Sequence, residues 1–457
     1  MFKKVLIANR GEIALRIIRS CRALGIETVA VYSEADAHSN HVLFADSAYC
    51  VGPARATESY LCHHKVIKAA LQSGAEAIHP GYGFLAESPG FARAVQKAGL
   101  SFIGPQPEHL ELFGDKLSAK RAARAAGLPM LGGSGTAVEH LSEALSVAET
   151  EGYPVILKAA AGGGGKGMRR VSSPDELRQQ LELCRREAAA AFGDGRVFIE
   201  HFLDEPRHVE VQVAGDGQGG VRHFGTRDCT CQRRYQKVME EAPAPFLSDR
   251  TRSALEAAAS ALIASVGYRT LATVEFLVQG DAFYFMEVNP RIQVEHPVTE
   301  QVTGHDLVAL QLRLAAGHPF DFPQERVVLR GHAIEARINA ENPWNFRPSP
   351  GRIKGLNLPG GPGIRVDSAL YDGATISPYY DSLCAKVIAT GETREQAIGR
   401  LMGALGETVV DGISTTIPMQ LALLRSPEFR ALTLHTRFLD SDSWRIQSAP
   451  FQEVANG

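Results

Sequence analysis

Val5-Leu6-Ile7-Ala8-Asn9-Arg10-Gly11-Glu12-Ile13-Ala14, followed downstream by Thr28-Val29-Ala30-Val31-Tyr32, decides the class of the fold. Val5 to Ala8 is a short apolar run, suited to a strand buried on both faces of a parallel sheet. From Gly11 to Leu24, the residues Ile13, Ile17, Ile18, Cys21 and Leu24 recur at helical spacing, and Gly25 ends the pattern. Thr28 to Tyr32 is the next strand. Strand, helix and strand in that order predict a parallel pair with a right-handed crossover, hence an α/β domain. The turn from Ala8 to Glu12 is not G-x-G-x-x-G, so it carries no dinucleotide fingerprint. A second loop, His79-Pro80-Gly81-Tyr82-Gly83-Phe84, follows Ala75-Glu76-Ala77-Ile78. Ligands of open α/β sheets sit outside the carboxyl ends of the strands, so this loop is either a site wall or an ordinary glycine-rich turn.

The bulk properties narrow the rest. The chain has 457 residues, 44% apolar and 22% charged, which is ordinary globular usage. At roughly 150 residues per domain it should hold about three. A net charge of −3 and a pI near 6.6 argue against a nucleic-acid surface. No apolar run approaches the roughly 18–20 residues that span a bilayer. The start imitates a secretory signal, but Asn9, Arg10 and Glu12 break its apolar stretch. Seven scattered cysteines make no disulfide framework, and Cys229-Thr230-Cys231 alone makes no zinc site. A reducing cytoplasm is the expected address.

A helix from Lys116 to Ala126 leads to the strand Pro154-Val155-Ile156-Leu157-Lys158, then to Ala161-Gly162-Gly163-Gly164-Gly165-Lys166-Gly167-Met168. The glycine run formally satisfies G-x-G-x-x-G and resembles part of a P-loop. No Ser or Thr follows Lys166, however, and no helix begins there. The run reads as a flexible hairpin flap whose backbone N–H groups approach phosphate oxygens, with Lys158 and Lys166 adding charge. Beyond it the spacing predicts helices over 174–191, Asp249–Val266 and Thr393–Leu405. From about Val327, short strands should alternate with turns such as Pro348-Ser349-Pro350-Gly351 and Pro359-Gly360-Gly361-Pro362-Gly363.

Thr273–Val278 and Ala282–Val288 flank Gln279-Gly280-Asp281, a hairpin signal. Folding there brings Glu275 opposite Glu287 or one diagonal step away. Like charges so placed repel, and a shared divalent cation resolves the conflict. Strand alternation would then put Glu287, Asn289, Arg291, Gln293 and Glu295 on one face, distorted by Pro290. That line offers a metal end, an anion-binding middle and a carboxylate base, although an amphipathic surface strand would alternate in the same way. The basic cluster from Arg227 to Lys237 reads as neutralising phosphate beside a nucleotide site.

Ala8-Asn9-Arg10-Gly11-Glu12-Ile13-Ala14, the Gly162–Gly167 flap, Glu240-Glu241-Ala242-Pro243-Ala244-Pro245 and Arg291-Ile292-Gln293-Val294-Glu295-His296-Pro297 together resemble biotin carboxylase over nearly the whole chain. The resemblance implies an N-terminal doubly wound α/β domain over 1–115 and a central ATP-grasp domain over 116–326, with a mobile glycine-rich lid at about 132–204. A C-terminal mixed α+β domain over 327–447 and a tail over 448–457 would follow, usually in a homodimer.

Carried over by motif, Lys116, Lys158, Gly163, Gly164, Gly165, Lys166, Gly167, Met168, His208, Gln232, Tyr235 and Lys237 would hold ATP. Backbone near Glu200, His201 and Leu203 would meet the adenine. Glu275, Glu287 and Asn289 would hold magnesium or manganese. Arg291, Gln293 and the Val294 backbone would bind bicarbonate, and Glu295 would deprotonate it to give carboxyphosphate and ADP. Phosphate released on decomposition would take the N1 proton of biotin, with Arg337 stabilising the enolate-like ring and Tyr82 beside it.

Tyr235 stands where many members carry histidine, and His201 where lysine is common. No Met-Lys-Met biotinylation motif is present, so the resemblance implies a separate biotin carboxyl carrier protein and carboxyltransferase subunits. Acetyl-CoA in fatty acid synthesis is the expected acceptor, with propionyl-CoA, pyruvate or urea as alternatives. Another ATP-grasp ligase or a non-catalytic ATP-binding protein would share the flap and the paired glutamates, but not the string from Arg291 to Glu295.

Overall fold

The computed structural model describes residues 1–162 and 167–455. Its N-terminal segment alternates β1 (Lys4–Ile7), α1 (Gly11–Ala23), β2 (Glu27–Ser33), α2 (Asn40–Phe44), β3 (Ser47–Gly52), α3 (His63–Ser73), β4 (Ala77–His79), α4 (Pro89–Lys97) and β5 (Ser101–Phe102). The strands form one parallel sheet in the order β3-β2-β1-β4-β5. Its centre is apolar on both faces, as an all-parallel sheet requires. Val5 and Ile7 cluster with Ile13, Ile17 and Ile18 of α1, and Leu6 with Val66 of α3 and Phe91 of α4.

Strand order reverses at β1, so the crevice of this sheet lies outside the carboxyl ends of β1 and β4. The two loops there are laced together by Asn9, whose Nδ2 donates to the carbonyls of Pro80 and Tyr82, both at 2.7 Å. Gly81 has a φ of +65°, and a Cβ there would lie 2.9 Å from Asn9 Nδ2. Glycine is what lets the loops meet.

After α5 (Pro107–Gly114) and α6 (Lys116–Ala125) come α7 (Leu141–Glu151), β6 (Val155–Ala159), β7 (Met168–Val171), α8 (Pro174–Phe192) and β8 (Val197–His201). They build a small antiparallel sheet, β7-β6-β8, with α7 and α8 packed on its apolar face. Lys158 pairs with Met168, so the glycine run is the loop of the β6–β7 hairpin. Gly163, Gly164, Gly165 and Lys166 themselves lie outside the described residues.

The chain continues through β9 (Arg207–Asp216), β10 (Val221–Arg233), β11 (Gln236–Ala242), α9 (Asp249–Ser265), β12 (Arg269–Gln279), β13 (Ala282–Asn289), α10 (His296–Thr303), α11 (Leu307–Ala315) and β14 (His332–Asn339). It closes with β15 (Gly351–Arg352), β16 (Gly355–Asn357), β17 (Ile364–Ser368), β18 (Thr375–Ile376), β19 (Leu383–Gly391), α12 (Arg394–Glu407), β20 (Val409–Asp411), α13 (Ile417–Arg425), α14 (Pro427–Arg430) and α15 (Asp442–Ala455). Serine or threonine oxygens at Ser173, Ser248 and Thr393 cap α8, α9 and α12, where the spacing predicts helices.

Eight strands form one antiparallel sheet, β13-β12-β9-β10-β11-β14-β19-β17. The division expected at residue 327 therefore runs through a sheet: β11 pairs with β14, and Glu240 lies opposite Glu335. Alternation along β14 explains how one strand serves two purposes. Ile334, Ala336 and Ile338 join the apolar core under α12 and α13, while Glu335 and Arg337 turn to the other face. Two expectations are corrected here. Strands beyond 327 are not all short, since β14 has eight residues and β19 nine. Where a tail was expected from 448, α15 continues to Ala455. Among the described residues no helix is long and apolar enough to cross a membrane.

Candidate active site

A cleft of about 980 Å³ opens where the β1 and β4 loops, the β7-β6-β8 sheet and the middle of the large sheet converge. Strand β9 shows how its floor is made. Val209, Val211 and Val213 enter the core beneath α9, and the alternate His208, Glu210 and Gln212 are buried on the polar side.

At one end of the cleft stand Lys116, Lys120 and Lys158. Glu200 binds two of them, Lys158 at 2.5 Å and Lys120 more closely. Burial pushes the Glu200 carboxyl up, but Lys158 and Lys120 outweigh it and bring it down to about 2. Lys116 donates to the Gly162 carbonyl and lies 3.4 Å from Glu287 Oε2. Met168, His201, Leu203 and Tyr235 line the same cleft. Tyr235 and Arg234 form the β10–β11 turn, both at positive φ, which a type I′ turn demands of its two central residues. His208 connects this end to the next, with Nδ1 3.1 Å from Gln232 Nε2 and Nε2 3.1 Å from Glu275 Oε2.

The β12–β13 hairpin places Glu275 directly opposite Glu287. Asn289 Nδ2 donates to Glu275 Oε1 at 2.9 Å. The two facing carboxylates offer oxygen donors, and the charge repulsion across the pair is what a hard divalent cation relieves; the Asn289 oxygen, which here accepts from Arg291 Nη2, would join them on rotation of the amide. These residues fit magnesium or manganese. Two other groupings have metal-like spacing among the described residues, His208-Glu210-Glu275 and Glu210-Cys229-Glu295. A built-in cation already serves both: Lys237 Nζ donates to Glu210 at 2.7 Å, Glu275 at 2.8 Å and Glu295 at 2.6 Å. Burial works against the Lys237 ammonium, but Cys229, Glu210, Glu275 and Glu295 together hold it well above the usual lysine range.

Glu295 is wholly buried at the N-terminus of α10, with one carboxylate oxygen on Lys237 and the other 2.9 Å from Arg337 Nη2. Burial would raise its proton affinity; Lys237, Arg337 and Arg227 reverse this and leave the carboxyl well below its usual range. Arg337 also donates from Nε to Glu240 Oε1 at 2.6 Å. Arg291 reaches Gln293 Oε1 at 2.8 Å and Asn289 Oδ1 at 3.0 Å, and its Nε is held by Glu87. Lys386 Nζ donates to the Val294 carbonyl at 2.8 Å. The Tyr82 hydroxyl donates to Glu12 on the near wall.

All the candidate residues within the described part thus line or border one cleft, yet two readings change. The line from Glu287 to Glu295 is not one strand. β13 ends at Asn289, Pro290 breaks the ladder, and Arg291 to Glu295 form the turn into α10. Arg227 faces no phosphate: it is fully buried and donates to Glu210, Gln212 and Thr299. Glu87, Lys120, Glu210 and Lys386 were not singled out in the sequence, and Glu12 and Glu240 entered only as members of motifs, without a role. Two left a signal. His208-Val209-Glu210-Val211-Gln212 alternates perfectly, and Lys386 is a lone charge in the apolar run Leu383 to Ala389.

Comparison with known proteins agrees with this geometry. Models of the biotin carboxylase N-terminal domain, the carbamoyl-phosphate synthase L chain ATP-binding domain and the biotin carboxylase C-terminal domain match residues 1–110, 115–322 and 335–441. The chain is 52% identical over 430 residues to biotin carboxylase of Pseudomonas aeruginosa, covering 94% of this chain and 96% of that protein. It is 48% identical over 441 residues to a pyruvate carboxylase component of Methanothermobacter thermautotrophicus, covering 96% and 90%. Biotin carboxylase of Campylobacter jejuni, solved with β,γ-ATP, superimposes with a TM-score of 0.95 at 42% identity, covering 96% and 99%. The biotin carboxylase domain dimer of Hydrogenobacter thermophilus 2-oxoglutarate carboxylase, solved with MgADP and bicarbonate, gives 0.93 at 45%, covering 96% and 97%.

Proposed function

Because the chain belongs to the biotin carboxylase family, we propose that its cleft carries out ATP- and bicarbonate-dependent carboxylation of biotin. The observation that carries this reading is Glu295, buried between Lys237 and Arg337 and next to Arg291, Gln293 and Val294. In this reading Lys116, Lys158 and the glycine hairpin take the ATP phosphates. Magnesium or manganese on Glu275, Glu287 and Asn289 would neutralise phosphate charge when bound.

Arg291 and the Val294 N–H orient bicarbonate, and Glu295 accepts its proton. The freed oxygen attacks the γ-phosphorus, ADP leaves, and carboxyphosphate forms. Its C–O bond then breaks to CO₂ and phosphate, the phosphate takes the N1 proton of biotin, and N1 attacks CO₂. Arg337 supports the negative ureido oxygen with its planar charged fork. A carboxylate gripped by two cations is a weak base. A ureido oxygen that draws Arg337 aside leaves one cation on Glu295, raises its proton affinity, and makes ATP cleavage depend on biotin.

We further propose that the biotin arrives on a biotin carboxyl carrier protein and that carboxyltransferase subunits pass its carboxyl group to acetyl-CoA, with the chain working as a cytoplasmic homodimer. The resemblance supports these points. Relatives of similar identity are named for pyruvate or 2-oxoglutarate, and the acceptor is decided by which acid stimulates turnover once a carboxyltransferase is added.

The half-reaction is tested by ADP release from the purified chain with Mg²⁺-ATP and bicarbonate, with and without free biotin. Stimulation by biotin that is lost in Glu295→Ala and Arg337→Ala supports the reading. ATP cleavage indifferent to biotin would point to another ATP-grasp ligase.

A further inference from the structure

Lys386 has no exposed surface and sits mid-strand in β19, directly across from Arg337 of β14 and Asp367 of β17. A buried ammonium must spend its hydrogen bonds on acceptors held fixed around it. This one spends its best-made bond, at 2.8 Å, on the carbonyl of Val294, in the peptide that leads directly to Glu295. Its charge is balanced from the opposite wall by Glu12 Oε2 at 3.3 Å, with Asp367 Oδ2 at 3.9 Å. The other oxygen of Glu12 accepts the Tyr82 hydroxyl. One chain of polar contacts, Tyr82 to Glu12 to Lys386 to the Val294 carbonyl, thus ties the N-terminal sheet, the C-terminal strand and the turn before α10 at a single point.

We propose that Lys386, balanced by Glu12, is a positioning residue of the carboxylation reaction: it fixes the Val294–Glu295 peptide in the orientation that serves bicarbonate, and through Glu12 it joins that peptide to Tyr82 at the biotin end. The inference rests on the functional reading above and adds two residues to it. Neither touches a reacting atom. Their effect is on where the Glu295 carboxylate points and, through the Val294 Cα that the held peptide anchors, on the Val294 N–H; displacement of about 1 Å at such groups costs up to roughly a hundredfold in rate.

The test compares the full chain with Glu12→Gln and with the double variant Lys386→Met/Glu12→Gln, following ADP release against bicarbonate, ATP and free biotin separately. Lys386→Met alone leaves the Glu12 carboxylate buried without its cation, and the double variant removes both charges together. The double variant is expected to raise the bicarbonate KM roughly tenfold and to blunt stimulation by biotin, with the ATP KM within about twofold. Glu12→Gln keeps the shape and the Tyr82 contact and is expected to move the same two quantities by roughly threefold. If the double variant does not fold, Glu12→Gln decides. Bicarbonate KM and biotin stimulation unchanged in a folded variant of an active parent overturn the positioning role alone. A parent without bicarbonate-dependent ADP release overturns the functional reading, and this inference with it.

Discussion

The two ends of the cleft balance charge in opposite ways. Where Lys116, Lys120 and Lys158 stand, the carboxylates that answer them are Glu200 and Glu287, so positive charge is in surplus. Around Glu295, the cations Arg227, Lys237, Arg337 and Lys386 face Glu12, Glu210, Glu240, Glu275, Glu295 and Glu335, so negative charge is in surplus. The first end can turn one lysine to a polyanion while another stays on the buried Glu200. The second must keep a proton or recruit a cation, and it is interlocked before any substrate arrives. In the proposed reading, a site for a large charged ligand and a site for small-molecule chemistry stand side by side, built from the same residue types.

The sharpest way to break that contrast is Glu295→Gln. It keeps the shape and removes the proposed base, and ADP release is expected to fall by about 10²- to 10⁴-fold, with the ATP KM little changed. Stopped assays of ADP release against ATP concentration check both parts. Next in size is Lys237→Met, which strips the common cation from Glu210, Glu275 and Glu295. Loss of one member of a buried ionic cluster costs about 3–5 kcal/mol, read as a shift in the urea midpoint. A shift no larger than that of a surface lysine variant would mean the hub is not pre-assembled.

The two ends should also answer pH with opposite signs. Glu200 has its carboxyl lowered to about 2 against an ordinary 4.5, so its contribution is complete above 4.5 and is lost as pH falls towards 2. Glu240 is raised to about 7, chiefly by burial and further by Glu295, so its contribution is complete below 4.5 and is lost as pH rises through 7. Burial moves Glu335, opposite Glu240, in the same direction, with neither oxygen hydrogen-bonded. Glu335→Gln is therefore expected to flatten the decline in thermal midpoint on the alkaline side, and Glu200→Gln to flatten it on the acid side. Identical profiles for the two variants would erase the contrast. The smallest expected effect is that of Tyr235→His at the half-exposed rim of the cleft, with stability within about 0.5 kcal/mol and an ATP KM within about threefold of the parent.

Local features were legible in the sequence. The β12–β13 hairpin fixed Glu275 opposite Glu287 because only its short turn separates the two strands. The β1–α1–β2 unit followed from period and punctuation alone. What stayed hidden depends on which strands become neighbours. Glu210 meets Arg227 because β9 lies beside β10, and Lys237 reaches Glu275 because β9 and β10 lie between β11 and β12. Arg227 looked like one more phosphate ligand because its true partner lies on another strand. Glu12 and Lys386 are far apart in the chain, and no periodicity links them. Only the lone charge in an apolar strand hinted that Lys386 had a distant partner.

The ladder between β11 and β14 has a bearing on modularity. Three family models tile this chain as if it were three exchangeable parts, but the last two share a row of backbone hydrogen bonds through which Glu240 faces Glu335. A graft of the C-terminal segment from a relative inherits not a surface to be docked but a strand register to be matched. A slip of one residue there would turn Arg337 from the cleft into the apolar layer beneath α12. Chimaeras of this architecture are thus constrained at a seam as strict as any core position, and splitting the chain there would expose the naked edges of β11 and β14 to any other strand able to pair with them.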